Sequence, residues 1–366
     1  MTTPFAPETT RAWVDIDLAA LAANARTIAA VSGRPLLPMV KANGYGLGAI
    51  EVARALEPLD PWGFGVALLE EGAWLRAAGI SRPILVVSPF VAPEAERYLE
   101  CGLRPSIGDP AALSAWTARS DRPFHVEVDT GMSRAGVRWN DTAALAAMRE
   151  NLAGAAGWEG VYTHFHSADT DPASAATQWQ RFQDVLATLP GKPALVHAAN
   201  SAAALRGKAF AADLVRPGIF LYGGQAGAVS PKPVVALKTR VVSVRTVRKD
   251  ETVSYGATWR ATGKTEIATL SLGYADGFPR AARESSGLDT LPPRLVELGG
   301  RTREVVGRVT MDLTMVAVDG SVAVGDVATV YGGVVSLDQQ AAAAGTISYE
   351  LLTGLGARLP RVYTTS

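Results

Sequence analysis

Between residues 36 and 216, short apolar runs alternate with Ala-rich amphipathic segments, and no other feature limits the possible folds as strongly. The runs occupy 36–42, 62–67, 84–88, 103–107, 124–129, 160–165, 194–199 and 213–219. Between them lie helical candidates such as AIEVARALEP, LEEGAWLRAAG, PEAERYLECG and QWQRFQDVLATLP. Strand–helix alternation of this kind implies a parallel sheet, and eight such units are the number that closes a (β/α)8 TIM-type barrel. A doubly wound open sheet is the competing arrangement.

Beyond about residue 230 the texture changes. VVALKTRVVSVRTVRKDETVSYG, TEIATLSLGYADG, REVVGRVTMDLTMVAV and VAVGDVATVYGG are rich in Val and Thr, alternate with period two and carry Gly turns. The pattern predicts an α/β barrel over 12–230, followed by a mainly β domain over 231–366. WVDID (13–17) reads as a strand leading into a helix capped by Asp17. A barrel that begins only at residue 36 leaves that strand free to join the C-terminal β domain.

Composition excludes several classes of function. Lys+Arg 35 balances Asp+Glu 35, so no net field draws the chain to nucleic acid or an anionic membrane. Cys101 is the one cysteine, so neither an intrachain disulfide nor a thiolate metal centre can form. The spacing of His164 and His166 fits neither helical ligand pairs nor HExxH, and no metal site is expected. MTTPFAPETTRAWVDID lacks a basic segment followed by an apolar one, and no run approaches 18 apolar residues. These features fit a cytoplasmic enzyme that spans no membrane.

A barrel places its chemistry at the C-terminal ends of its strands. Those ends carry Lys41, Asp129 followed by Arg134, His164 with His166, Asn200 with Ser201, and Arg216. Each residue alone has an ordinary structural explanation, but five coincident ends favour a site. In VKANGYGLG a lysine at a strand end is followed by a turn with three glycines and Tyr45. A partly desolvated lysine becomes a nucleophile towards carbonyls. NSAA (200–203) starts a helix, RPGIFLYG (216–223) adds a second Gly-containing turn, and helix starts bind anions. An aldehyde held by both lysine and phosphate contacts describes pyridoxal 5'-phosphate.

VKANGYG (40–46), VDTGMSRAG (128–136), YTHF (162–165), HAANSAA (197–203), RPGIFLYG (216–223), SYGATW (254–259), GYADGFPR (273–280), GRVTMD (307–312) and SYELL…RLPR (348–361) together resemble the alanine racemases. The resemblance implies a fold-type III pyridoxal phosphate enzyme acting on a small-molecule amino acid. It also implies a homodimer whose active sites are shared across the interface. Lys41 would carry the cofactor and act as base on the D-enantiomer, and Tyr255 of the partner subunit would act on the L-enantiomer. Tyr45, Ser201, Gly218, Ile219 and Tyr349 fall at phosphate-binding positions, beside Asn200. Arg216 falls at the pyridine nitrogen, with His164 behind it. Arg134 and Met311 fall where the substrate carboxylate is held.

Three positions depart from the family pattern. Glu127 stands where the family often has a carbamylated lysine, so no carbamate is expected and its contact with Arg134 is open. Leu47 replaces a common histidine, and Thr310 a common Cys or Ser. The motifs hardly discriminate side chains, so racemases of serine, lysine or broad specificity stay open as alternatives. A fold-type III decarboxylase would call for an acidic partner at the pyridine nitrogen. A non-catalytic pyridoxal phosphate carrier resembles the barrel alone.

Overall fold

The computed structural model describes residues 9–280 and 291–365; the first eight residues of the start discussed above lie outside them. Six parallel strands pair in chain order: Phe64–Val66, Ile84–Pro89, Arg104–Ile107, Phe124–Asp129, Trp158–Tyr162 and Leu195–His197. Segments 36–40 and 213–217 close the ring. Leu37 N donates to Val215 O (2.8 Å), Met39 N to Pro217 O (2.9 Å), Val40 N to Gly65 O (2.8 Å) and Arg216 N to Ala199 O (2.8 Å). These bonds exclude the open sheet. Both closing segments make isolated bridges instead of full ladders, because Pro35, Pro38 and Pro217 remove backbone donors.

The amphipathic segments form the surrounding helices, among them Ala49–Leu56, Leu69–Ala77, Ala95–Cys101 and Pro172–Leu186. Asp17 caps helix Leu18–Ser32 by accepting the Ala20 amide at 2.8 Å. Strand Ala12–Asp17 does not enter the barrel. It pairs antiparallel with Val235–Val247 and parallel with Arg361–Thr364 in an eight-stranded sheet. The long strand Val235–Val247 also pairs with Val327–Tyr331 and, along its later half, with Thr265–Leu270.

Two polar side chains from the end of the chain fasten this β layer to the barrel. Arg361 donates to Gly46 O through Nε (3.2 Å) and Nη2 (3.1 Å), and Tyr363 donates to Leu47 O at 2.9 Å. Both acceptors belong to the turn that follows Lys41. Among the described residues no helix is long and apolar enough to cross a membrane, and no group of three or more His, Cys, Asp or Glu side chains could hold a metal ion.

Candidate active site

A cavity of about 620 Å³ opens at the C-terminal ends of the barrel strands. It brings together Lys41, Tyr45, Arg134, His164 and Asn200, together with Ser201, Arg216, Gly218, Ile219 and Tyr349. Tyr255 and Met311 do not line it. They lie exposed on neighbouring loops of the β domain, which Ser254 Oγ joins by donating to Arg308 O at 2.6 Å.

Lys41 begins an unusual turn. Ala42, Asn43, Gly44 and Tyr45 have φ of 51°, 54°, 63° and 54°, so four successive residues follow a left-handed helix. The glycines were legible as a turn; its handedness was not. Left-handed geometry costs about 1–2 kcal/mol for each L-residue that bears a Cβ, so outside contacts must hold it. Glu71 Oε1 accepts the Ala42 amide at 2.6 Å, and Asn43 Oδ1 accepts the Ala49 amide at 3.1 Å. Burial and the charges of Arg134 and Arg216 lower the proton affinity of Lys41, while Glu71 opposes them. The result is an amine more easily freed of its proton than an exposed lysine.

The opposite wall suits an anion. Ser201 Oγ accepts the Gly218 amide at 2.8 Å, which leaves the hydroxyl hydrogen available to donate. The amides of Ser201, Ala202 and Ile219 take no protein acceptor among the described residues. Tyr45 stacks on Tyr222 with ring centroids 4.4 Å apart. A Cβ at position 218 would lie 2.3 Å from the Tyr45 hydroxyl, so only glycine admits that hydroxyl to the wall. Converging amides and hydroxyls of this kind fit a phosphate group. An aldehyde on the same molecule would meet Lys41.

Arg216 is buried, and its donors are mostly assigned. Nη2 faces Thr163 O (2.7 Å), Ala198 O (3.1 Å) and His164 Nδ1 (3.2 Å), while Nη1 faces His197 Nδ1 (2.8 Å). Burial lowers its pKa to about 10, so it stays charged at neutral pH. Its Nε–H and one Nη1–H remain without a partner among the described residues. Burial, then the charges of Arg216, Arg134 and Lys41, keep His164 neutral well below the ordinary histidine range.

Glu127 lies beyond ion-pair distance of Arg134. It is buried beside Tyr162 and Ser106, and burial raises its carboxyl pKa, although the Arg134 charge still opposes the rise. Sequence reasoning missed Glu71, which stands in the first turn of helix Leu69–Ala77 and whose reach to the Ala42 amide leaves no local signal. It also missed His197, which lay within a quoted motif yet went unassigned.

Two family models match the chain: the alanine racemase N-terminal domain over residues 16–226 and the C-terminal domain over 234–363. An alanine racemase of Deinococcus radiodurans is 39% identical over 361 residues, covering 96% of this chain and 98% of the relative. The biosynthetic alanine racemase of Pseudomonas aeruginosa superposes with a TM-score of 0.88 at 35% identity, covering 97% of this chain and 100% of that one. A Bartonella henselae alanine racemase with covalently bound pyridoxal phosphate gives 0.87 at 31% identity, with coverage of 97% and 100%.

Proposed function

The chain belongs to the alanine racemase family, and we propose that it interconverts L- and D-alanine with pyridoxal phosphate in the barrel cavity and one base from each of two subunits. The observation that carries this reading is the pairing in one cavity of a desolvated lysine with a ring of unpartnered amides. Bound pyridoxal phosphate supplies an electron sink for the pair left when an amino acid loses its Cα proton.

The protein's own groups then divide the remaining work. Tyr45, Ser201, Gly218, Ile219 and Tyr349 would hold the phosphate, with Asn200 fixing the helix start by accepting the Ala203 amide at 3.0 Å. Arg216 would present a donor to the pyridine nitrogen, and a guanidinium does not surrender its proton. Arg134 would bind the substrate carboxylate. Lys41 Nζ takes or returns the Cα proton on the D-face, and the partner's phenol does so on the L-face. His164 Nδ1 accepts from Arg216, so the neutral ring carries its proton on Nε2.

Tyr255 and Met311 support a shared site, because they stand outside their own chain's cavity on an exposed surface. A homodimer would carry them to the partner's cavity. We place the division between the two domains at residues 230 and 231, in the Pro-containing link before strand Val235–Val247. A coupled assay of D-alanine formation from L-alanine, run beside L-serine and L-lysine, tests the substrate. Turnover of alanine above the others supports the reading, and comparable turnover of serine or lysine would make this a racemase of broad specificity.

A further inference from the structure

A row of polar side chains continues from Arg216 through the barrel interior, away from the residues that line the cavity. His197 Nδ1 lies 2.8 Å from Arg216 Nη1, and His197 Nε2 lies 2.8 Å from His125 Nδ1. His125 Nε2 lies 3.1 Å from Glu159 Oε2. Glu159 in turn accepts both Nε (2.5 Å) and Nη2 (3.1 Å) of Arg104.

The chemistry of the two ends dictates every proton between them. A guanidinium only donates, so His197 Nδ1 accepts and its ring proton sits on Nε2. That proton points at His125 Nδ1, which must accept, so His125 carries its own proton on Nε2. The carboxylate of Glu159 only accepts, and it takes that proton without conflict. A charged ring at either position would set donor against donor. Burial lowers the proton affinity of both rings, and Arg216 adds to the effect at each.

The packing around the row is shaped to it. A Cβ on residue 160 would lie 2.5 Å from His125 Nδ1, so Gly160 makes the space for that ring. Tyr162 stacks on His197 with centroids 4.9 Å apart and planes 11° apart. Both imidazoles are fully buried. None of His197, His125, Glu159 and Arg104 lines the cavity, so the row's hydrogen bonds reach a ligand through Arg216.

We propose that His197, His125, Glu159 and Arg104 form a positioning row that locks His197 as a pure acceptor. The row thereby fixes the guanidinium plane of Arg216, which leaves Nε–H and one Nη1–H for an aromatic nitrogen of a ligand in the cavity. The inference rests on the reading of Arg216 given above. Its members are positioning residues and touch no substrate.

The test uses holoenzyme with 15N-labelled histidine. Long-range 1H–15N spectra should show His197 and His125 neutral, each protonated on Nε2; a proton on Nδ1 of either ring, or a charged ring, would overturn the proposal. His125→Phe cuts the row while keeping a ring. It should shift the bound cofactor's visible absorption and lower kcat for alanine by roughly ten- to a hundred-fold, with KM changed by less than about two-fold. Glu159→Gln keeps an acceptor oxygen for His125 and should retain most of the activity. A folded His125→Phe enzyme with unshifted absorption and unchanged kcat would also overturn it. Where that variant does not fold, the wild-type tautomers decide. Should wild type racemise no amino acid, the assigned reaction fails, while tautomers and absorption still judge the row.

Discussion

The Glu71 carboxylate accepts the Ala42 amide at 2.6 Å, one residue beyond Lys41. Its other oxygen accepts the amides of Ala67 (2.7 Å) and Leu68 (3.1 Å). One side chain therefore joins the start of helix Leu69–Ala77 to the left-handed turn that aims the lysine. Glu71→Ala strips three amides of their acceptor and should destabilise the protein by about 1–3 kcal/mol. It also removes the charge that opposes deprotonation of Lys41. Urea denaturation and cofactor retention on gel filtration measure both effects. Unchanged stability with full cofactor retention would show that the contacts of Asn43, Arg361 and Tyr363 hold the turn without Glu71.

Gly218→Ala sets a methyl group against the Tyr45 hydroxyl, with no flexible atom to yield. Tyr45 is buried and stacked on Tyr222, so its ring cannot swing aside cheaply. Overpacking of this kind costs about 1–3 kcal/mol. The expected result is a lower Tm together with weakened cofactor binding, read by equilibrium dialysis. Wild-type cofactor affinity in the variant would remove Gly218 and Tyr45 from the anion wall.

Acid should destabilise the protein before its carboxylates titrate. His125, His164 and His197 have folded pKa values lowered first by burial and then, wholly or in part, by neighbouring cations. Below pH 6.5 the unfolded rings take up protons that the folded rings refuse, so stability falls as pH falls. By pH 5.5 the unfolded rings are mostly protonated, so stability is lost at each position where the fold keeps the ring neutral, least at His125, where Glu159 opposes the lowering. Urea midpoints at pH 7.5 and 5.5, at fixed protein concentration, check this. A flat profile would mean that the rings are charged in the folded state.

The proposed sharing of sites between two subunits can be tested by complementation. Lys41→Ala and Tyr255→Phe should each be inactive as homodimers. Unfolding and refolding them together at equal amounts should give about a quarter of wild-type activity, because half the dimers are mixed and each holds one intact site of two. Absence of any recovery, with mixed dimers demonstrated by mass spectrometry, would place both bases in one chain.

Much of this architecture is written in local pattern, and some of it is not. The apolar runs that end in Lys41, His164 and Arg216 were legible because a barrel strand advertises its length and its polar terminus. Pro38 and Pro217 explain why the first and last runs read as strands but form isolated bridges. The histidine row was opaque for a different reason. His125 interrupts an apolar strand with no visible partner, and its partners depend on the register that sets it opposite Gly160 and sets Tyr162 opposite His197. Register between strands leaves no mark on local spacing. The left-handed turn is similar, since Ala42 has no propensity for the conformation it adopts. Tyr255 and Met311 became site candidates only through family resemblance, because their own cavity lies elsewhere.

The most direct test of the two-base account is exchange of the Cα proton in D2O, followed by NMR for L-alanine and D-alanine separately. In wild type both enantiomers should acquire deuterium. In Tyr255→Phe, exchange from L-alanine should be lost while Lys41 continues to exchange D-alanine. Equal exchange of both enantiomers in the variant would contradict the assignment of Tyr255 as the L-face base.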